Sequence, residues 1–325
     1  MKINEIGGEF ALIDRLAKMV ATDRPEVVQG IGDDAAVIRM APEPAPYLLV
    51  TTDMLVEERH FNCKWATPEQ IGIKASECNV SDIAAMGGIA QWMFVSLALP
   101  ADADVNWVER LYQGIDCSCR RHNIAMLGGD TTQGRDTTIT ICLLGAVSPQ
   151  HLCLRSHAQP GDLLMVTGSL GASAAGLALL SSGQMPSDYL KRKHFEPRCR
   201  MDLAGAIAPV ANAMIDISDG LGAEVNHLCT QSKVGAEIEA EAIPLHDEVV
   251  QASQVLGVDP LQWAIGGGED FELLFSIPPE SVAALEDKGI ICTKVGKVTD
   301  QEDKILLIDH KGRSNPLKGG YNHFR

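Results

Sequence analysis

The sequence predicts a two-domain α/β chain with α+β character: an N-terminal mixed sheet covered by helices, and a C-terminal α/β sandwich. Three observations predict this. Apolar, β-branched runs of strand length alternate with stretches of helical period. At 325 residues the chain is long for a single core. A polar stretch at 148–162, punctuated by Pro149, Pro160 and Gly161, interrupts the alternation. The expected domains are therefore 1–148 and 149–325, and mixed elements at this spacing place helices on one or both faces of each sheet.

In the first half, 47–53 reads as a strand with Tyr47, Leu49, Thr51 and Asp53 on one face by the period of two. A helix at 67–87, a strand at 92–99, an amphipathic helix at 105–122 and a strand at 137–147 follow. Between the last two lies a short apolar run, 124–127. The second half restarts with a strand at 163–167 and helical patterns at 172–182 and 201–211. A strand at 214–217, a helix at 223–231, a strand at 236–240 and a helix near 247–256 come next. Strands at 271–277, 293–298 and 305–309 complete it. No internal repeat or low-complexity segment is visible.

A hydrophobic fraction of 46% with 22% charged residues is that of a soluble globular chain. The net charge of −16 disfavours a nucleic-acid or anionic-membrane surface, since both require basic patches. It leaves room for an anionic small ligand whose contact is mediated by metal. Nine cysteines, none in a CxxC pair, read as reduced thiols. The start lacks a basic-then-apolar signal, and no apolar run approaches the ~18 residues of a membrane span. A cytoplasmic location is expected.

Eight aspartates stand in short clusters rich in Gly, Ser and Thr: Gly-Ile-Gly-Asp-Asp at 30–34, Thr-Thr-Asp at 51–53, Ser-Asp at 81–82, Gly-Gly-Asp-Thr at 128–131, Asp-Ile-Ser-Asp-Gly at 216–220 and Gly-Gly-Gly-Glu-Asp at 266–270. Small neighbours let a ligand or backbone approach a carboxylate closely. Carboxylate oxygens suit magnesium, which is commonly shared between a few carboxylates and substrate phosphates. A single Asp beside Gly is equally a turn or cap residue. The set argues for a site, because ordinary turns would use Asn, Pro and Lys as freely. Most of the clusters fall at strand ends or in loops, where ligand sites are usually built.

Asp82 is the sharpest case. Ile71, Ala75, Cys78 and Asp82 recur at helical spacing, which puts a carboxylate on an apolar stripe with Lys74 two turns away. Such a group must be paired or bind a metal, or else cap a neighbouring loop. Two carboxylates ~4 Å apart repel by about 4 kcal/mol at an effective dielectric near 20, so a convergent set requires divalent cations. Phosphates would supply further oxygens. Competing motifs are missing: there is no GxxxxGK[ST], no complete dinucleotide fingerprint at Gly220-Leu-Gly222, no calcium loop, no HExxH or Cys/His zinc spacing, and no kinase HRD or DFG element.

Seven motifs in order resemble the thiamine-monophosphate kinase family over essentially the whole chain. They are Gly30-Ile-Gly-Asp-Asp-Ala-Ala-Val37, Thr51-Thr-Asp-Met-Leu-Val56 with His60-Phe61, Asn79-Val-Ser-Asp-Ile-Ala-Ala-Met-Gly87, Gly128-Gly-Asp-Thr-Thr132, Asp216-Ile-Ser-Asp-Gly220, Gly267-Gly-Glu-Asp-Phe-Glu-Leu273 and Gly320-Tyr-Asn-His-Phe324. The wider superfamily includes aminoimidazole ribonucleotide synthetase, selenophosphate synthetase and a hydrogenase-maturation dehydratase. His60-Phe61 and the aromatic end resemble the thiamine branch. The selenophosphate branch would carry a reactive residue near the N-terminus, where the first cysteine here is Cys63, and the dehydratase branch would end in cysteine rather than Arg325.

The resemblance implies ATP-dependent phosphorylation of thiamine monophosphate to thiamine diphosphate by direct in-line transfer. It implies several magnesium ions per site, held by Asp34, Thr51, Thr52, Asp53, Asp82, Asp130, Asp216 and Asp219. Gly129, Asp130, Arg155 and Ser218 match nucleotide-binding positions. His60, Glu269 and Tyr321 match those holding the thiamine portion, with Phe324 added by proximity. From the residues alone, Arg155 could equally be a solvated arginine, His60-Phe61 a packed pair and Tyr321 a core or interface aromatic. Asp33 and Asp270 are expected only to support neighbours. The resemblance further implies a homodimer formed through the N-terminal sheet, with the nucleotide in the cleft between the domains.

Two departures stand out. Lys74-Ala-Ser-Glu-Cys78 is less apolar than the pattern leads one to expect, and His122 stands where an adenine-stacking aromatic is expected. Other readings are a superfamily enzyme resembling selenophosphate or aminoimidazole ribonucleotide synthetase, acting on another phosphate or an amide, and a magnesium–nucleotide sensor without turnover.

Overall fold

Alternation in the sequence becomes two sheets with helices packed against them. The computed structural model describes residue 5 and residues 9–19, 24–42 and 44–321. The N-terminal half runs α1 (Glu9–Met19), β1 (Val27–Gln29), β2 (Ala36–Arg39), β3 (Tyr47–Val56), α2 (Pro68–Ala85), β4 (Ile89–Leu99), α3 (Val105–His122), β5 (Ala125–Gln133) and β6 (Thr138–Val147). Its sheet has the order β1-β2-β3-β6-β4-β5. Only the β4–β5 pair is parallel, which is why the long helix α3 connects those two strands.

The C-terminal half runs β7 (Leu163–Thr167), α4 (Ala172–Ser181), α5 (Asp188–Phe195), α6 (Met201–Ile207), β8 (Ala213–Asp216), α7 (Leu221–Ser232), β9 (Gly235–Glu239), α8 (Asp247–Leu256), α9 (Leu261–Gly266), β10 (Leu273–Ile277), α10 (Val282–Glu286), β11 (Cys292–Thr299), β12 (Ile305–Ile308) and β13 (Ser314–Pro316). Its seven strands order as β13-β12-β9-β11-β7-β10-β8. Three strands are apolar nearly throughout: β7, β8 and β10, whose residues are buried on both faces apart from Leu163.

Helix α2 is the hinge of the architecture. Thr67 and Gln70 form a reciprocal capping box at its start, with Pro68 in the first turn. It packs on α3 and on β3 and β6 of its own sheet, and also on α5, α6 and β8 of the other half. Fourteen of its eighteen residues are buried in consequence, so its pattern is not that of a one-faced surface helix. This accounts for the unexpectedly polar Lys74–Cys78 stretch. Lys74 and Glu77 are buried side chains paired across element boundaries. Glu77 accepts hydrogen bonds from Ser118 Oγ (2.7 Å), Arg121 Nη1 (2.7 Å) and the Cys199 backbone N–H (3.0 Å), and meets His122 Nε2 at 3.0 Å.

Several sequence-based bounds change. Helix α6 stops at Ile207, four residues short of expectation, and β10 starts at Leu273 rather than 271, because Phe271 adopts a left-handed φ of 49°. Strand β3 continues three residues past Asp53. A further difference is β5, where a nine-residue strand replaces a short apolar run followed by a glycine-rich cluster. Its sequence lacks alternation because it is an edge strand exposed along its whole length. It contains Gly129 because a Cβ there would collide with the Val95 carbonyl of β4.

Candidate functional site

Asp34, Asp82 and Asp216 come from three distant parts of the chain and each offers an oxygen, with the three oxygens within 4.8 Å of one another. Asp34 precedes β2, Asp82 lies in the last turns of α2, and Asp216 ends β8, so the cluster sits where the two halves meet. The stripe that carries Asp82 starts at the fully buried Ile71 and Ala75 and opens at Cys78 and Asp82, which are half-buried. Thr51 Oγ1 donates to Asp82 Oδ2 (2.5 Å), and Ser81 Oγ donates to Asp216 Oδ2 (2.7 Å). Burial first, and then neighbouring carboxylates, push both Asp82 and Asp216 well above the usual carboxylate range.

Two further carboxylates are also raised. Asp53 is raised to about 6 by burial and by the charge of Asp34, and Asp219 to about 6 by burial and surrounding carboxylates. The Asp53 backbone N–H donates to Asn79 Oδ1 (3.2 Å), which ties β3 to α2. Thr51 and Asp53 share the face turned toward α2, whereas Thr52 projects to the other side and donates to the Ile141 carbonyl (3.0 Å).

Arg155 is the cation that answers this charge. It meets Asp34 through Nη2 (2.5 Å) and Nε (3.1 Å), and Asp33 Oδ1 at 3.4 Å. Asp33 also accepts from the Arg155 backbone N–H (3.1 Å), so it anchors the arginine, as its expected supporting role requires. Burial works against the guanidinium's charge, but the two aspartates outweigh it. Arg155 is thus a built-in counter-ion and not a solvated surface arginine.

Gly129 and Asp130 lie elsewhere on the sheet. The register runs Asp53↔Ile141, Ile141↔Val95 and Val95↔Gly129, three strand spacings or ~14 Å. Asp130 Oδ1 accepts from the neighbouring Thr131 N–H (2.9 Å), and the residue is exposed. Within one chain it is not brought into the cluster.

A second group gathers at the end of the C-terminal sheet where β8 and β10 lie side by side. The Glu269 N–H donates to the Ser218 carbonyl (2.7 Å) and the Tyr321 N–H to the Asp219 carbonyl (3.0 Å), so three sequence-distant loops are laced together. Glu269 holds a left-handed φ of 67°. Its carboxylate meets Lys74 Nζ at 2.7 Å, Ser173 Oγ at 3.4 Å and His194 Nδ1 at 3.6 Å. Burial pushes the Glu269 carboxyl up, but Lys74, His194 and His60 together outweigh it and keep it below its usual range. Burial lowers His194 to about 4, leaving it neutral at pH 7. His60 Nδ1 accepts from the Val56 N–H (3.0 Å), and its carbonyl accepts from Lys74 Nζ (2.9 Å). Asp270 turns away and caps α4 by accepting from the Gly171 N–H (2.7 Å). Phe324 lies outside the described residues.

Sequence reasoning passed over several participants. Glu224 is buried and raised to about 8 by burial and by Asp219. It accepts from the Asp219 N–H (2.9 Å) and from Ser218 Oγ (3.4 Å). Lys74, His194, Ser173 and Glu224 carry no motif of their own. Asn79 and Ser81 were legible as neighbours of Asp82. His122 is unavailable for stacking on a base, because its ring is engaged with Glu77.

Two family models match the chain: the AIR synthase related protein N-terminal domain over residues 32–147, and the corresponding C-terminal domain over residues 159–309. The class is therefore that of the AIR synthase-related proteins. Thiamine-monophosphate kinase of Haemophilus influenzae is 36% identical over 98% of both chains, and that of Aquifex aeolicus is 36% identical over the whole of both. The solved structure of AaThiL complexed with AMPPCP and TMP superposes with a TM-score of 0.88 at 35% identity, covering 100% of this chain and 99% of that one. The chain belongs to the thiamine-monophosphate kinase family.

Proposed function

We propose that this chain transfers the γ-phosphoryl group of ATP to the phosphate of thiamine monophosphate, releasing thiamine diphosphate and ADP. The observation that carries this is the convergence of Asp34, Asp82 and Asp216 between the two halves, beside the Lys74–Glu269–His60 group. Asp34, Asp82 and Asp216 form a hard-oxygen donor set that suits magnesium, and burial with crowding raises the proton affinity of Asp82 and Asp216. Asp34, Thr51, Asp53, Asp82, Asp216 and Asp219 would hold the ions, while Thr52 and Asp130, which one chain directs elsewhere, would join them only from a second copy. Magnesium, when bound, neutralises phosphate charge and stabilises the transition state electrostatically.

The chain's own residues position the two anions. Arg155, fixed by Asp33 and Asp34, presents a guanidinium suited to a phosphate oxygen. Ser218 would form the rest of the nucleotide contact, joined by Gly129 and Asp130 from a second copy of the chain. His60, Glu269 and Tyr321 hold the thiamine portion, where the Glu269 carboxylate matches a cationic heterocycle. A phosphomonoester has its second pKa near 6, so the acceptor oxygen is already anionic at neutral pH and needs no strong base.

Each polypeptide is proposed to divide at 148/149 and to work as a homodimer in the reducing cytoplasm. What supports the dimer is the outer face of the N-terminal sheet, where Trp92 and Phe94 stand exposed on β4, with Ile89 exposed at the start of that strand. The test is ADP formation in the presence of magnesium with either thiamine monophosphate or free thiamine as acceptor. Turnover with the monophosphate and little with the alcohol is expected. Equal turnover, or none with either, would refute the assignment.

A further inference from the structure

We propose that Lys74 is a positioning residue of the acceptor site, holding Glu269 and His60 in one arrangement and thereby setting affinity for the thiamine portion without touching it. This rests on the acceptor-site reading above. Lys74 is buried, with a side chain only 3% exposed, so its ammonium is spent on protein groups and not on a ligand. Nζ lies 2.7 Å from both Glu269 oxygens and donates to the His60 carbonyl at 2.9 Å. The three groups come from α2, from the loop before β10 and from the turn after β3, which belong to different halves of the chain.

A buried lysine is costly unless its charge is met, and this one is met at the residue whose carboxylate faces the proposed cation. Glu269 is 27% exposed, so part of the carboxylate remains open beside the pair. Lys74 keeps that carboxylate ionised in a water-poor setting and fixes its direction, while the second hydrogen bond fixes the backbone of His60. Ser173 Oγ and His194 Nδ1 also border the Glu269 Oε2 oxygen.

The test compares Lys74→Met, Glu269→Gln and the double variant in steady-state kinetics on the full chain with magnesium and ATP. Lys74→Met should raise the KM for thiamine monophosphate about tenfold or more, with kcat and the KM for ATP within about threefold of the parent. The double variant should cost no more than Glu269→Gln alone, because both changes act through one carboxylate. Lys74→Arg, which keeps the charge, should recover much of the loss. If Lys74→Met does not fold, Lys74→Gln carries the same test, since it keeps a donor for the His60 carbonyl. A rise in both KM values together, a fall in kcat alone, or additive costs in the double variant would overturn the proposal. If Glu269→Gln itself leaves the acceptor KM unchanged, the acceptor-site reading fails. If it raises that KM and Lys74→Met does not, only the role of Lys74 fails.

Discussion

Replacing Asp82 with Asn removes one charge from three carboxylates whose oxygens lie within 4.8 Å of one another. At that outer separation, and at an effective dielectric near 20, each fully ionised pair costs at least about 3.5 kcal/mol, so two fully ionised pairs would release about 7 kcal/mol or more. The realised gain is smaller, because burial and crowding already favour the protonated forms of Asp82 and Asp216. A proton taken up in place of repulsion costs ~1.4 kcal/mol per pH unit above the group's pKa. Asn reproduces the protonated side chain in shape and can still accept from Thr51 Oγ1. The metal-free variant is therefore expected to gain about 1–2 kcal/mol at pH 8, or roughly 1–3 °C in melting temperature for a chain of 325 residues. Its kcat/KM should fall by about 10³, since lost metal-mediated stabilisation of ~4 kcal/mol corresponds to that factor. Calorimetry with and without magnesium, paired with an ADP-release assay, reads both quantities on one preparation. A variant that is less stable without metal, yet keeps near-normal turnover, would refute the reasoning.

Other expectations follow from the same geometry. Asp53 and Asp219 are raised in the fold to about 6 from an ordinary 3.8, so their contribution to metal-free stability is fully present below about pH 4 and lost as pH rises through 6. Magnesium should consequently raise the melting temperature more at pH 8 than at pH 5, and equal shifts would contradict the cluster's role. Arg155→Met leaves Asp34 as an uncompensated buried charge and should cost about 3–5 kcal/mol without metal, with partial recovery in magnesium; a change under 1 kcal/mol by denaturant titration would argue against a counter-ion role. Gly129→Ala sets a methyl against the Val95 carbonyl and should destabilise by about 1–3 kcal/mol while raising the KM for ATP; an unaltered KM would remove Gly129 from the nucleotide contact.

Local signals in the sequence carried a large part of this. Helices α3 and α8 and strand β7 have the bounds that amphipathic spacing and β-branched runs predict. Asp34, Asp82 and Asp216 were legible because small residues flank each carboxylate, and the fold brings them together. What was not legible depends on tertiary context. Strand β5 reads only as a short apolar run and a glycine-rich cluster because it is an exposed edge strand, and its pairing partner is reached only through α3. Lys74 and Glu77 look like surface residues until α2 is seen enclosed from both sides. Glu224 and His194 act through partners that no spacing rule connects to them. The separation of Asp130 from the cluster follows from strand order, which a linear motif does not encode.

The central claim is a magnesium-dependent transfer between two phosphates. Phosphorus NMR of the purified protein with ATP, magnesium and thiamine monophosphate, beside a chelator control, tests it most directly. The account predicts matched growth of thiamine diphosphate and ADP signals that stops when magnesium is removed. ATP breakdown to other products, or transfer that continues under chelation, would contradict it.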